Sequence, residues 1–156
     1  MEIALASVED AAEILAVQKL AYQSEAQIYD DFALPPLLET LEDLRSQFAS
    51  KLFLKAVEDG QLVGSVRGRE ERPTVHVERL IVRPERQGRG LGARLLREIE
   101  ARFPQARRFE LFTGHKSVRN LRLYEKLGYR VFREQPVHDR LVLVFLEKVK
   151  LQKSNI

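Results

Sequence analysis

The 156-residue sequence contains no cysteine. It can therefore form no disulfide, no zinc site with thiolate ligands and no cysteine nucleophile. Its three histidines, His76, His115 and His138, show no metal-ligand spacing. We therefore expect neither a metal centre nor a cross-linked fold.

Long apolar runs are also missing. No apolar stretch approaches the roughly 20 residues that a membrane-spanning helix requires. The first residues, MEIALASVEDAAEIL, include acidic side chains and lack the positively charged segment that opens a signal peptide. We therefore expect a soluble, cytoplasmic protein with no membrane partner.

The chain has no strong excess of either charge, since 26 Lys and Arg residues face 23 Asp and Glu residues for a net charge of +3. Its basic residues are mostly interleaved with acidic ones, and the one dense basic cluster runs from Arg79 to Arg97. A single cluster suits a nucleotide-bearing cofactor better than a nucleic-acid polymer, which needs many phosphate contacts. We therefore expect no nucleic-acid partner.

What is present indicates one α/β domain over residues 1–150, followed by a frayed tail over residues 151–156. Alternating apolar residues predict strands at 3–5, 51–58, 61–67, from 75, 108–113, 129–133 and 138–148, the last of them interior to the sheet. Asp59–Gly60 predicts a hairpin turn between the second and third strands. Together with the helices, this order predicts a mixed, mainly antiparallel central sheet flanked by helices.

Apolar periodicity predicts four helices. The first follows a capping box at Ser7 and Asp10, with Ala11, Ile14, Leu15 and Leu20 along one stripe. After Tyr22 the pattern breaks, and a second helix begins at Pro35–Pro36, with Leu37, Leu41, Leu44 and Phe48 on one face. The third helix follows Gly92, and the fourth begins after Ser117 and ends at Gly128.

The most informative stretch is residues 75–92, VHVERLIVRPERQGRGLG. Its alternation predicts a strand with Val75, Val77 and Ile81 on one face and His76 and Glu78 on the other. Pro84 ends this strand because it has no N–H to donate. Three glycines and a helix follow directly.

Gly88, Gly90 and Gly92 lie between this strand and the helix. Glycines at that point let backbone N–H groups turn toward an anion, and the helix dipole adds to the attraction. The neighbouring Arg83, Arg86 and Arg89 offer forked donors for phosphate oxygens. The stretch therefore predicts a phosphate-binding loop, and the alternative is a glycine-rich turn that only packs.

Two familiar phosphate-binding motifs do not fit. The P-loop requires four residues between its glycines and then Lys and Ser or Thr, and the sequence has no such run. The dinucleotide fingerprint places its third glycine one residue later and needs an acidic residue about 20 positions on. That region is instead dominated by Arg107 and Arg108.

Residues 80–92, ending QGRGLG, resemble the pyrophosphate-binding signature of the GNAT superfamily of acyl-CoA-dependent N-acyltransferases. Residues 120–129, NLRLYEKLGY, resemble the second signature of that family. The resemblance implies the GNAT fold, in which the strands ending near Val82 and Thr113 splay apart and the acyl-pantetheine arm of acetyl-CoA lies in the gap. The cofactor-binding residues that it implies are Leu80, Ile81, Val82, Gln87, Gly88, Arg89, Gly90, Leu91, Gly92, Asn120 and Tyr124.

The resemblance implies direct acetyl transfer from acetyl-CoA to a primary amine, without an acyl-enzyme. Tyr124, one helical turn after Asn120, is then the candidate donor to the leaving thiolate, and its alternative is a core aromatic residue. Glu78 or His76 is the candidate base, directly or through water, because an ammonium must lose a proton before it attacks. Alternatively, His76 caps the sheet face and Glu78 pairs with Arg79 or with a neighbouring strand.

The segment between the first two predicted helices is the candidate acceptor site. Tyr22, Tyr29, Asp30 and Asp31 would guide a positively charged, small or peptidyl amine. The alternative is a solvated loop whose aromatics fill the core. The wider alternatives are acetylation of a protein N-terminus or lysine, and a non-catalytic CoA-sensing domain; we expect a monomer or a homodimer.

Overall fold

The computed structural model describes residues 1–151, which form one seven-stranded sheet in the order β1-β2-β3-β4-β5-β7-β6. The strands are β1 (Glu2–Leu5), β2 (Leu52–Glu58), β3 (Gln61–Glu71), β4 (Thr74–Val82), β5 (Arg108–Gly114), β6 (Arg130–His138) and β7 (Leu141–Val149). The helices are α1 (Ala11–Ala21), α2 (Gln23–Tyr29), α3 (Pro35–Leu38), α4 (Leu41–Gln47), α5 (Leu91–Ala101) and α6 (Val118–Lys126). The predicted α/β class and mixed, mainly antiparallel sheet are confirmed. The predicted tail lies outside the described residues from residue 152 onward.

The central feature of the sheet is the short contact between β4 and β5. It is the parallel pair of a sheet whose other neighbouring strands run antiparallel, and its ladder joins Thr74–His76 to Arg108–Glu110 only. Beyond that point β4 continues to Val82 along β3 and β5 continues to Gly114 along β7, but β4 and β5 no longer pair with each other. The predicted splaying of the central strands is therefore confirmed, and it leaves an unpaired strand edge on each side of the gap.

Helices cover both faces of the sheet and bury a separate apolar cluster on each. On one face, Leu95, Leu96 and Ile99 of α5 pack on β2 to β5. On the other face, Ile14 and Val17 of α1 pack against α4 and strands β2 to β4. Burying each of these side chains contributes about 1.5–3 kcal/mol to the free energy of folding. Packing on both faces therefore stabilises the strands that border the gap.

A β-bulge in β4 changes which face its residues occupy. Arg79 has a φ of 52°. Two residues, Arg79 and Leu80, lie between Glu78 and Ile81 on β4, opposite the single residue Val66 of β3. Val77 therefore packs with α5, whereas Ile81 packs with α1. The prediction that Val75, Val77 and Ile81 share one face is wrong, because an extra residue in the strand reverses the alternation.

The region between α1 and β2 also differs from the prediction. The segment after Tyr22 is not irregular but forms α2, which buries Ala26 and Tyr29 one turn apart. The single helix predicted from Pro35 is two helices, because the Thr40 hydroxyl accepts a 3.1 Å hydrogen bond from the Asp43 N–H and starts α4 afresh. Leu20, predicted on the buried stripe, is 46% exposed.

Several local predictions hold. The Ser7 N–H donates to the Asp10 carboxylate at 2.8 Å, and Asp59 and Gly60 both have positive φ, as a type I′ turn requires. Gly128, with φ of 98°, follows the end of α6. At the C-terminal side, β7 is interior as predicted, but His138 belongs to β6, because the chain turns at residues 139–140.

Candidate functional site

A cavity of 1140 Å³ opens where β4 and β5 part. The two unpaired strand edges form its walls, with residues 77–82 on one side and residues 111–114 on the other. Its volume exceeds the roughly 1,000 Å³ at the upper end of ordinary small-molecule sites, so there is room for two substrates. The lining residues include two sets. The loop half is Gln87, Gly88, Gly90, Leu91, Gly92 and Arg119, and the α2 half is Tyr22, Glu25, Tyr29, Asp31, Glu78 and Arg79.

The loop half is shaped by two left-handed glycines. Gly88 and Gly90 have φ of 79° and 82°, and Gly90 is the residue directly before α5. A side chain at Gly90 would meet no atom within 4 Å, so its glycine serves the backbone conformation rather than a tight fit. The exposed backbone N–H groups at the start of an eleven-residue helix make this loop suited to an anion.

Arginines surround this loop differently from the prediction. Arg86 lines the cavity but is held by Glu58 at 2.7 Å, and the Arg83 Nε donates to the Leu62 carbonyl at 2.9 Å. Arg89 is exposed and does not line the cavity.

A cation that the sequence did not reveal completes the loop half. Arg119 on α6 donates to the Gln87 side chain at 3.1 Å, and Gln87 donates in turn to the Val82 carbonyl at 3.1 Å. This chain of contacts fixes the loop to the end of β4. In the sequence, the one feature that could have indicated Arg119 is its position directly before Asn120 of the second motif.

Both residues of the second motif line the cavity. Asn120 donates to the Thr113 hydroxyl at 3.1 Å and to Glu25 at 3.4 Å, which ties α6 to β5 and α2. Tyr124 lies one turn later and is 6% exposed. Burial, with smaller contributions from Tyr22 and Glu25, raises the pKa of Tyr124 above its ordinary value. Its hydroxyl therefore stays protonated over the whole physiological range and can donate a hydrogen bond.

The structure separates the two candidate bases. Glu78 lines the cavity, and its carboxylate contacts the Lys51 ammonium at 2.6 Å rather than Arg79. His76 does not line the cavity. Its ring contacts Glu71 at 3.2 Å and Glu110 at 3.5 Å, outside the gap.

The four predicted acceptor residues lie on α2 or directly before or after it, and three of them (Tyr22, Tyr29 and Asp31) line the cavity. The Tyr29 hydroxyl is within 2.6 Å of the Ser117 hydroxyl and accepts from the Lys116 N–H at 2.9 Å. Asp31 contacts His138 at 2.9 Å, and that contact lowers the pKa of Asp31. Asp30 ends α2 with φ of 47° and does not line the cavity.

A buried polar network closes the floor of the cavity. Arg67 is 2% exposed and donates to Gln18 at 2.7 Å and to Gln47 at 2.8 Å. It also pairs with Glu39 at 3.3 Å. Periodicity could not reveal this network, because its members come from α1, α3, α4 and β3 and meet only in the fold.

Within residues 1–151, no cluster of acidic or histidine side chains could hold a metal ion. The same part of the chain has no helix that is long and apolar enough to cross a membrane.

Comparison with known proteins finds similarity to the chain in both sequence and fold. A family model described as "Acetyltransferase (GNAT) family" matches residues 13–129. A curated relative, the UPF0157 protein YqkA of Bacillus subtilis (strain 168), is 28% identical over 120 residues, which are 77% of this chain. The match covers 34% of that relative, so the chain spans about a third of its length.

Solved structures show the same fold. A PaiA N-acetyltransferase from Thermoplasma acidophilum in complex with coenzyme A has a TM-score of 0.76 at 20% identity, over 96% of this chain and 100% of that one. The ribosomal-protein-S18-alanine N-acetyltransferase of Escherichia coli has a TM-score of 0.81 at 16% identity, over 99% and 97%. A putative acetyltransferase, yncA, from Salmonella typhimurium with acetyl-CoA has a TM-score of 0.78 at 21% identity, over 100% and 97%.

Proposed function

Because this chain belongs to the GNAT acetyltransferase family, we propose that it transfers an acetyl group from acetyl-CoA directly to a primary amine. The observation that carries the proposal is the continuity of one cavity, which runs from the loop at Gly88 and Gly90 along the open edge of β4 to Tyr124. That arrangement offers an anion site, a strand-like slot and a hydrogen-bond donor in one space. The proposed site lies within a single domain over residues 1–150.

In this proposal the loop half holds the donor. Backbone N–H groups at Gly88, Gly90 and Gly92 bind the pyrophosphate of acetyl-CoA, and Arg119 adds a cation beside them. The unpaired edge from Leu80 to Val82 hydrogen-bonds the pantetheine arm as a neighbouring strand would. The match of the lining residues to a long anionic ligand with an extended arm supports this assignment.

The chemical step forms an N–C bond and breaks a C–S bond. The amine lone pair attacks the thioester carbonyl, and the sulfur leaves as a thiolate beside Tyr124. A tyrosine titrates near pH 10 and a thiol near about 8.5, so full proton transfer to sulfur costs about 2 kcal/mol in water. Burial of Tyr124 widens that gap. Tyr124 therefore acts as a hydrogen-bond donor to the developing thiolate, and a proton reaches the sulfur from the amine or from water.

The amine must arrive neutral or lose a proton in the site. Glu78 is the assigned base, directly or through water, because it lines the cavity while His76 does not. One Glu78 oxygen contacts the Lys51 ammonium at 2.6 Å. The other lies 3.8 Å from Arg69 Nε, beyond hydrogen-bond distance, and can still accept a proton. The released proton passes to solvent, so the balanced products are the acetylated amine, CoA thiol and one proton.

The experiment measures thiol release from acetyl-CoA with a panel of primary amines, against a reaction without amine. At least one amine should raise the rate above the amine-free background. If acetyl-CoA binds by calorimetry but no amine raises the rate, the CoA-sensing alternative replaces the enzyme. If acetyl-CoA does not bind, the cofactor assignment itself fails.

A further inference from the structure

Arg79 occupies an unusual position in the α2 half. It forms the bulge of β4, with φ of 52°, and lines the cavity. Its Nε is buried, and within residues 1–151 it is the one buried side-chain nitrogen or oxygen that has no hydrogen-bond partner. A buried guanidinium nitrogen without a partner is costly, so it marks a place where a ligand oxygen would complete the structure.

The other charged side chains nearby are already matched. They form the pairs Lys51–Glu78 at 2.6 Å, Arg67–Glu39 at 3.3 Å and His138–Asp31 at 2.9 Å. Arg79 makes no ion pair with any described residue. Three further cations line the cavity, but Arg86 is paired with Glu58, Arg119 serves the loop half and Lys116 is exposed. Arg79 therefore has no ion-pair partner of its own: the nearby Glu39 carboxyl, whose pKa Arg79 helps to lower, is already paired with Arg67.

Glu25 is its counterpart of opposite sign. Its carboxylate accepts from the Ser117 hydroxyl at 2.6 Å and from Asn120 at 3.4 Å, but no cation of residues 1–151 pairs with it. Burial is the main cause of the raised pKa of Tyr22. Among the smaller contributions, Arg79 lowers this pKa and Glu25 raises it, so both charges lie close to the Tyr22 hydroxyl. Glu25 also accepts from Asn120, which lies one helical turn before Tyr124 on α6, and it contributes to the raised pKa of Tyr124. The α2 half thus contains one cation, Arg79, and one anion, Glu25, that have no ion-pair partner within residues 1–151. Both lie near Tyr22, and Glu25 is on the side of Tyr124.

We propose that the acceptor is an amine that also carries a carboxylate, an amino acid or a close analogue, whose carboxylate binds Arg79 and whose amino group lies between Glu25 and Tyr124. The inference rests on the proposed acetyl transfer and names its substrate class. The Arg79 fork matches the two oxygens of a carboxylate, and its Nε gains the acceptor it lacks. The Glu25 carboxylate attracts the ammonium to the place where the thioester arrives. One ammonium proton leaves to Glu78, directly or through water, before the attack, and a second leaves as the amide forms. One of the two reaches the CoA thiolate, and the other passes to solvent.

The test compares matched acceptors: free amino acids, their carboxamides and the corresponding decarboxylated amines. Steady-state KM and kcat are measured for the parent protein, Arg79→Gln, Arg79→Lys and Arg97→Gln. Arg97 is an exposed cation on α5 away from the cavity, so Arg97→Gln controls for the loss of one charge. Thermal melting and calorimetry with CoA establish that each variant is folded and binds cofactor.

The parent should favour the free amino acid over its carboxamide by about 10- to 100-fold in KM, the range for a hydrogen-bonded charge pair. Arg79→Gln should remove most of that preference by raising the amino-acid KM alone, Arg79→Lys should restore part of it, and Arg97→Gln should keep it. Equal or better turnover of carboxamides or decarboxylated amines by the parent would overturn the inference while leaving acetyl transfer intact. An unchanged preference in folded Arg79→Gln would also overturn it.

Binding separates this inference from the proposed reaction. Calorimetry of amino acids into the protein saturated with CoA needs no turnover. Binding that depends on Arg79, without any acetylation, would sustain the carboxylate site and refute the transferase. Absence of both binding and turnover across the amino acids would refute the carboxylate site.

Discussion

The two halves of the cavity differ in how the sequence specifies them. The loop half rests on residues whose backbone behaviour is local: Gly88 and Gly90 adopt left-handed φ, and α5 follows at once. The α2 half is assembled from contacts between residues far apart in the chain, such as Tyr29 with Ser117 and Glu25 with Asn120. Short-range geometry can be predicted from residue type, whereas the second kind of site exists only after folding.

We expect the largest effect from a substitution in the loop half that weakens acetyl-CoA binding. Gly90→Asp places a carboxylate in open space before α5, where the proposed pyrophosphate binds, without a steric clash. Like charges brought together cost several kcal/mol, so acetyl-CoA affinity by calorimetry should fall by about 100-fold or more.

Gly90→Asn is the matched control, because asparagine adopts left-handed φ and has nearly the same shape without the charge. It should lose about tenfold or less, the cost of adding a side chain at a left-handed position. Equal losses in the two variants would mean that backbone strain, and not anion binding, explains Gly90.

The second prediction concerns Tyr124, which lines the same cavity as the two halves. Tyr124→Phe should lower kcat by about 100-fold, the typical contribution of one acid–base group, with little change in CoA affinity. The pKa of Tyr124 is raised by burial, so the parent should show no loss of kcat from this group until the pH exceeds the ordinary tyrosine value of about 10. Turnover of a folded Tyr124→Phe protein at the parent rate would make Tyr124 a packing residue.

Much of the fold could be predicted from the sequence because it depends on local conformational preferences. The hairpin at Asp59–Gly60 and the end of α6 at Gly128 depend on glycine conformations that residue type alone dictates. The loop half was predicted from the order of strand, glycines and helix, whereas the splayed sheet followed from the resemblance of two motifs to the GNAT family. Tyr124 and Glu78 were candidates on the strength of the same resemblance, and both line the cavity.

What sequence reasoning missed depends on long-range packing. Arg79 has φ of 52°, which nothing in its own side chain favours, so the bulge and the reversal of strand faces after it were invisible. The helix α2 was hidden because Tyr22 and two adjacent acids suggested an irregular segment, although Ala26 and Tyr29 are buried one turn apart. The ion pair between Lys51 and Glu78 likewise links residues 27 positions apart.

A third prediction sharpens the comparison by removing one long-range contact. Tyr29→Phe keeps the ring and deletes the hydroxyl that contacts Ser117 and accepts from the Lys116 N–H. The free energy of unfolding should fall by about 1–3 kcal/mol, because buried partners lose their hydrogen bond. Denaturant unfolding measures that loss, and acceptor KM should rise severalfold as α2 loosens.

Tyr129→Phe is the control for Tyr29→Phe. The Tyr129 hydroxyl donates to Glu100 at 2.8 Å and does not line the cavity. Its loss should lower stability by a similar amount, about 1–3 kcal/mol, while leaving acceptor KM unchanged. A rise of KM in both variants would trace the effect to general destabilisation rather than to the position of α2.

The smallest expected effect concerns the end of the α2 half. The contact with His138 at 2.9 Å and the Ala33 N–H lower the pKa of Asp31, so the ionised carboxylate stabilises the folded state. That contribution is fully present above the ordinary aspartate pKa of about 3.9 and is lost as the pH falls through the lower folded value. Asp31→Asn should therefore be less stable than the parent by under about 1 kcal/mol at pH 7, a partly exposed pair being screened by solvent. Urea midpoints at pH 7, 5 and 3 should show this difference narrowing only at the lowest pH. Asp30→Asn, at the neighbouring exposed left-handed position, should match the parent throughout. Urea midpoints of Asp31→Asn equal to those of the parent at pH 7 and pH 5 would show that the contact with His138 does not stabilise the fold.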